Sequence, residues 1–136
     1  MEGSDAMIRG TTAMFKFKLP YPKEEISWVT IEFWQPNNQS RLLPITKTLG
    51  HCYTADNPNE LCVSLTAEET SRFSDKYKAK TQIRGMHADS GSVFGCTPQT
   101  ITVYSMRDEI IENDPMLPSA NEDGLIIFDG KLIINQ

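Results

Sequence analysis

The chain has 136 residues, 39% of them hydrophobic and 23% charged, with a formal net charge of −5. That length supports one domain with a core and leaves little for a second, and the balance of apolar to charged residues is that of a folded protein rather than a disordered one. The charge is uneven: residues 108–136 carry seven acids and one base, a balance of −6, which leaves the body at +1, so no basic patch exists to hold nucleic acid.

No run approaches the ~20 apolar residues that a membrane span needs. The stretch MEGSDAMIRG has no apolar segment of signal-peptide length. Folding in a reducing cytoplasm is expected, with residues 1–6 a flexible extension. Three cysteines, Cys52, Cys62 and Cys96, make an odd count without a C-x-x-C pair, which argues against a disulfide framework.

AMFKFKLP alternates, with Ala13, Phe15, Phe17 and Leu19 on one face and Met14, Lys16 and Lys18 on the other. A period of two predicts a strand with one face on a core. Pro20 and Pro22 end it. In ISWVTIEFW, Val29, Ile31 and Phe33 share a face with Ser27, while Trp28, Thr30, Glu32 and Trp34 take the other. QPNNQS is a turn, and RLLPITKT a weaker strand whose Pro44 marks an edge or a bulge. ELCVSL points Leu61, Val63 and Leu65 inward. Thr66 and Glu69 have capping-box spacing, which predicts a short helical turn over 66–73 with Phe73 in the core. YKAKTQIRG resumes alternation with Tyr77, Ala79, Thr81 and Ile83 inward, Asp89-Ser90-Gly91 turns a hairpin, and TPQTITVYS is a last strand with Ile101 and Val103 on one face. Short strands at this turn spacing predict an all-β fold, an immunoglobulin-like antiparallel β-sandwich over residues 7–107.

Residues 108–124 have the composition of an acidic linker. LIIF-DG-KLII then predicts a β-hairpin over 125–136, because Asp-Gly suits a type I′ turn. Both faces of that ribbon would be apolar, and a lone two-stranded hairpin is barely stable in water. Leu125, Ile126, Ile127, Phe128, Leu132, Ile133 and Ile134 are therefore candidate partner-binding residues, docking as an arm on a neighbouring subunit. The other reading is that the segment folds back and completes its own sandwich.

Catalytic patterns are sparse. The histidines are His51 and His87, and Ser90-Gly91-Ser92 near His87 lacks a G-x-S-x-G elbow. There is no P-loop and no G-x-G-x-x-G. The spacing of His51, Cys52, Cys62, His87 and Cys96 matches no zinc pattern, and NEDG at 121–124 is only a loose acidic turn. No catalytic residue, metal or cofactor is assigned, and no enzymatic activity is expected. Trp28, Trp34 and Tyr53 are candidate ligand-stacking residues for a carbohydrate or receptor; ordinary packing is the plainer reading of the tryptophans.

MIRGTTAMFKFKLPY, SLTAEETSRF followed by YKAKTQIRG, and the closing GLIIFDGKLI resemble segments of small phage and prophage structural proteins, including N-terminal domains of baseplate upper proteins. The resemblance covers most of residues 7–134. It implies a virion structural protein of capsid or tail, made in the host cytoplasm. Its implied partners are other virion proteins and copies of itself, with neither nucleic acid nor membrane. A carbohydrate- or receptor-binding module is the alternative.

Overall fold

The alternating stretches become strands because each has one apolar face to bury and one polar face to leave in water. The computed structural model describes residues 6–105 and the backbone of two further strands, Leu125–Phe128 and Leu132–Asn135. In chain order the strands are β1 (Ala6–Ile8), β2 (Ala13–Lys18), β3 (Ile26–Trp34), β4 (Ile45–Thr48), β5 (Glu60–Leu65), β6 (Ala79–His87), β7 (Val93–Cys96), β8 (Gln99–Tyr104), β9 (Leu125–Phe128) and β10 (Leu132–Asn135). A four-residue helix, α1 (Ala67–Thr70), follows β5.

They form two sheets. In the larger, β4, β3 and β6 lie side by side, and β7 and β8 both pair antiparallel with the far edge of β6. Arg84 faces Gly95 and Thr81 faces Gln99, a one-residue slip in register at Thr97-Pro98. Proline cannot donate there, so β7 and β8 run as one strand broken by an irregularity. The smaller sheet runs β5-β2-β9.

Phe15, Phe17, Leu61, Val63 and Leu65 of the small sheet meet Val29, Ile31, Phe33, Ile83 and Ile101 of the large one in one buried cluster. Phe15 and Phe33 bridge the layers with ring centroids 4.9 Å apart. This is an all-β, sandwich-like architecture. One detail of parity differs from expectation. Register shifts between Ile26 and Trp28, so Ile26 is buried and Ser27 exposed. A β-bulge re-aims the side chains on one side of it.

The helical turn is capped as its spacing predicts. The Thr66 hydroxyl accepts from the Glu69 N–H at 3.1 Å, and Glu69 Oε1 accepts from the Thr66 N–H at 2.9 Å. Phe73 is buried behind it. Thr70, also fully buried, accepts from the Gly10 N–H and donates to the Thr11 carbonyl, tying the turn to the β1–β2 connection. Gly10 has φ +82°, a conformation that glycine adopts without strain. Gly85 is required for a different reason: a Cβ there would sit 2.5 Å from the Phe94 ring and 2.8 Å from the Trp28 carbonyl oxygen.

Strand β1 begins at Ala6 and pairs parallel with β8, so the extension expected over 1–6 gives its last residue to the large sheet. The linker expected over 108–124 and the Asp129-Gly130 turn lie outside the described residues.

The two arms of the expected hairpin differ from that reading. β9 pairs parallel with β2, Ile126 opposite Phe15 and Phe128 opposite Phe17. β10 pairs antiparallel with β7, Leu132 opposite Cys96 and Ile134 opposite Phe94. The arms therefore extend different sheets of their own chain instead of pairing with each other. Each gains a ready-made edge, whereas a two-stranded ribbon would need cover on both faces.

Candidate functional site

The outward face of β3 carries Trp28, Thr30, Glu32 and Trp34, the residues left over once Val29, Ile31 and Phe33 are buried. The two tryptophans stand about 20 Å apart at the rise of an extended strand. Trp28 is 37% exposed and Trp34 partly buried. Tyr53, 42% exposed, lies elsewhere: its backbone bridges Cys62 of β5, in the small sheet. The structure thus brings Trp28 and Trp34 onto one surface and leaves Tyr53 on another.

At the Trp34 end lies an open groove of about 380 Å³, lined by Glu32, Trp34, Gln35, Pro36, Asn38, Leu43 and Pro44. Its floor is fixed by Gln35, which is only 3% exposed. The Gln35 amide donates to the Ser74 and Tyr77 carbonyls at 2.7 and 2.8 Å. Its oxygen accepts from the Ser74 N–H and from Asn38 Nδ2. All four of its hydrogen-bonding positions are occupied. Asn38 in turn accepts from the Ser40 N–H. Sequence reasoning missed Gln35, because its partners Ser74 and Tyr77 lie about 40 positions away and no local pattern announces them.

A second constellation joins residues far apart in sequence. His87 Nε2 lies 3.0 Å from Glu25 Oε1, and His87 Nδ1 lies 2.8 Å from the Ser90 hydroxyl. The Tyr21 ring stacks on the imidazole at 4.0 Å between centroids, tilted 19°. The order acid, imidazole, serine is that of an acyl-transfer site. The surroundings are those of a turn. The amides of Ser90, Gly91 and Ser92 bond respectively to His87 Nδ1, the His87 carbonyl and the Ser90 hydroxyl. Those N–H groups are spent on the turn, so none is free to stabilise an oxyanion beside Ser90. What the array does is lock the β6–β7 connection to the start of β3, where the Ala88 N–H also bonds the Glu25 carbonyl.

The cysteines are buried and free. Burial pushes the Cys52 thiol up to about 11, against the pull of Lys23, and raises Cys62 and Cys96 as well. All three remain protonated at neutral pH, the state in which a thiol is a poor nucleophile and metal ligand. His51 Nδ1 accepts from the Thr48 N–H, closing a 3₁₀ turn. Among the described residues, no group of three or more His, Cys, Asp or Glu is placed to hold a metal ion, and no helix is long and apolar enough to cross a membrane.

The candidate partner-binding residues fall on β9 (Leu125, Ile126, Ile127 and Phe128) and β10 (Leu132, Ile133 and Ile134), each strand on an edge of its own chain's sheets. No protein-family model matches the chain, and a comparison with curated proteins returns no match.

Proposed function

We propose that this protein is a virion structural subunit that works by protein–protein assembly, with its C-terminal segment as the assembly element. The observation that carries the reading is the division of that segment between β2 of one sheet and β7 of the other. Sheet edges are templates: a row of backbone donors and acceptors accepts any strand of suitable register. Two edges that accept this chain's own tail accept the same tail from a neighbouring copy equally well. Exchange of an identical element between copies is a low-cost route to an oligomer. The trans-docking arm is then strand exchange rather than a free hairpin. An immunoglobulin-like body and kinship with phage structural proteins belong to the same proposal, supported by the motif resemblance and the two-sheet layout.

Deleting residues 119–136 tests it. The full chain should associate in sedimentation analysis; the truncated chain should stay monomeric and recapture a synthetic 119–136 peptide. A full chain that is monomeric at every concentration, or a truncated chain that associates as before, contradicts the proposal.

A second reading, carbohydrate or receptor binding, is favoured by one observation, the placement of Trp28 and Trp34 at the two ends of one outward face. Glycan-array binding by the full chain that is lost on Trp34→Ala would support it; no glycan or receptor binding by the full chain would rule it out.

A further inference from the structure

We propose that the groove beside Trp34 is a binding site for the cationic side chain, arginine or lysine, of a partner protein. It stands independently of the tail and of any assembly the tail drives.

The argument starts from what the groove offers. Trp34, Pro36, Leu43 and Pro44 supply an apolar wall. Glu32 is the one ionisable group among the lining residues, and it is exposed. No hydrogen bond or ion pair engages its carboxylate among the described residues. Its cross-strand neighbours are Thr46 on β4 and Gln82 on β6, both uncharged. The cation nearest to Trp34 by register is Lys80, and that ammonium donates to the Thr100 hydroxyl at 3.2 Å, across the strand on the side away from β4. Arg84, opposite Thr30, is the other cation one diagonal step from Glu32 on this face, and it too makes no bond to the Glu32 carboxylate among the described residues.

The chemistry of the ligand follows. A sugar needs several fixed donors and acceptors, and the lining amide of Gln35 is already saturated by the protein. An ammonium or guanidinium needs one acceptor and is attracted to an indole face. Its methylene stem needs apolar cover, which two prolines and a leucine provide. Charge complementarity selects the cation over an anionic or neutral group. A peptide is the source because the groove opens at the start of β4, the last strand on its side of the large sheet. An extended segment pairing with that edge would bring its side chain to the groove.

The site is pre-organised. Gln35 pins the end of β3 to Ser74 and Tyr77, so binding does not have to order the wall first.

The experiment follows Trp34 fluorescence in a Trp28→Phe background while a short acetylated arginine peptide is added to the full chain. A matched peptide with citrulline, and a neutral oligosaccharide, are the comparison probes. A saturable change with arginine, about two- to fivefold weaker with citrulline, is expected. Glu32→Gln should weaken the arginine peptide by a similar factor and leave the melting temperature unchanged, since Glu32 is exposed. Added salt should weaken the arginine peptide and leave citrulline unaffected. Equal binding of the two peptides, full affinity after Glu32→Gln, or binding of the sugar alone would overturn the proposal.

Discussion

Thr81 is fully buried on β6, and among the described residues its hydroxyl has no hydrogen-bond partner. A buried hydroxyl without a partner costs its desolvation and returns nothing. Thr81→Val keeps the branched shape and removes that cost, so it should raise stability by about 1 kcal/mol in denaturant unfolding. A loss of stability would mean that a partner exists for the hydroxyl. At this scale parity read burial well inside the strands but misplaced Tyr77, which alternation points inward and which is 40% exposed because β6 begins only at Ala79. Phe15, Phe17, Leu61, Val63, Leu65, Ile83 and Ile101 are all where alternation placed them. Gln35 and the Glu25–His87–Ser90 array were not readable, because Gln35 bonds to Ser74 across 39 positions and Glu25 to His87 across 62. Ser27 was misplaced because a bulge leaves no mark in the spacing.

The capped turn α1 is where the sequence said most about an element. A threonine and a glutamate three positions apart are enough to satisfy two backbone donors reciprocally. The structure adds what spacing could not show, a third partner: Lys47 Nζ reaches both Glu69 oxygens, at 3.0 and 2.9 Å. Partial burial works against the charged form of Glu69, but the Thr66 N–H and the Lys47 ammonium prevail and hold its pKa below the ordinary value of 4.5. A carboxylate lowered in the folded state contributes stability that is complete above its unfolded value and is lost as pH falls through the folded one. The wild type should therefore lose its advantage over Glu69→Gln as pH drops below 4.5, in thermal melts across that range. A gap between the two proteins that stays constant with pH would show that the carboxylate plays no such part. The Asp-Gly pair shows the opposite limit of local reading. It signals a turn from the residues beside it, but which strands those residues join is decided by edges far away in sequence. The edges of β2 and β7 decide it here.

At the scale of the whole molecule, the fold class was legible and the closure of the sheets was not. Alternation and turn spacing are local, and they lead to two layers around a shared core. The two apolar arms, LIIF and KLII, each join the edge of a sheet, β9 on β2 and β10 on β7. Spacing could not show that the two arms part company. The same limit applies to the groove beside Trp34. The strand places Glu32 and Trp34 on one face, but Leu43 and Pro44 reach them only because β4 returns against β3.

The central claim is that one C-terminal segment supplies an outer strand to each of the two sheets. Hydrogen exchange in the full chain and in the chain lacking residues 119–136 tests it most directly. The account predicts that amide protection falls in Ala13–Lys18 of β2 and in Val93–Cys96 of β7 together, and that the core of β3 and β6 stays protected. Protection unchanged in both strands, or lost in one alone, would contradict it.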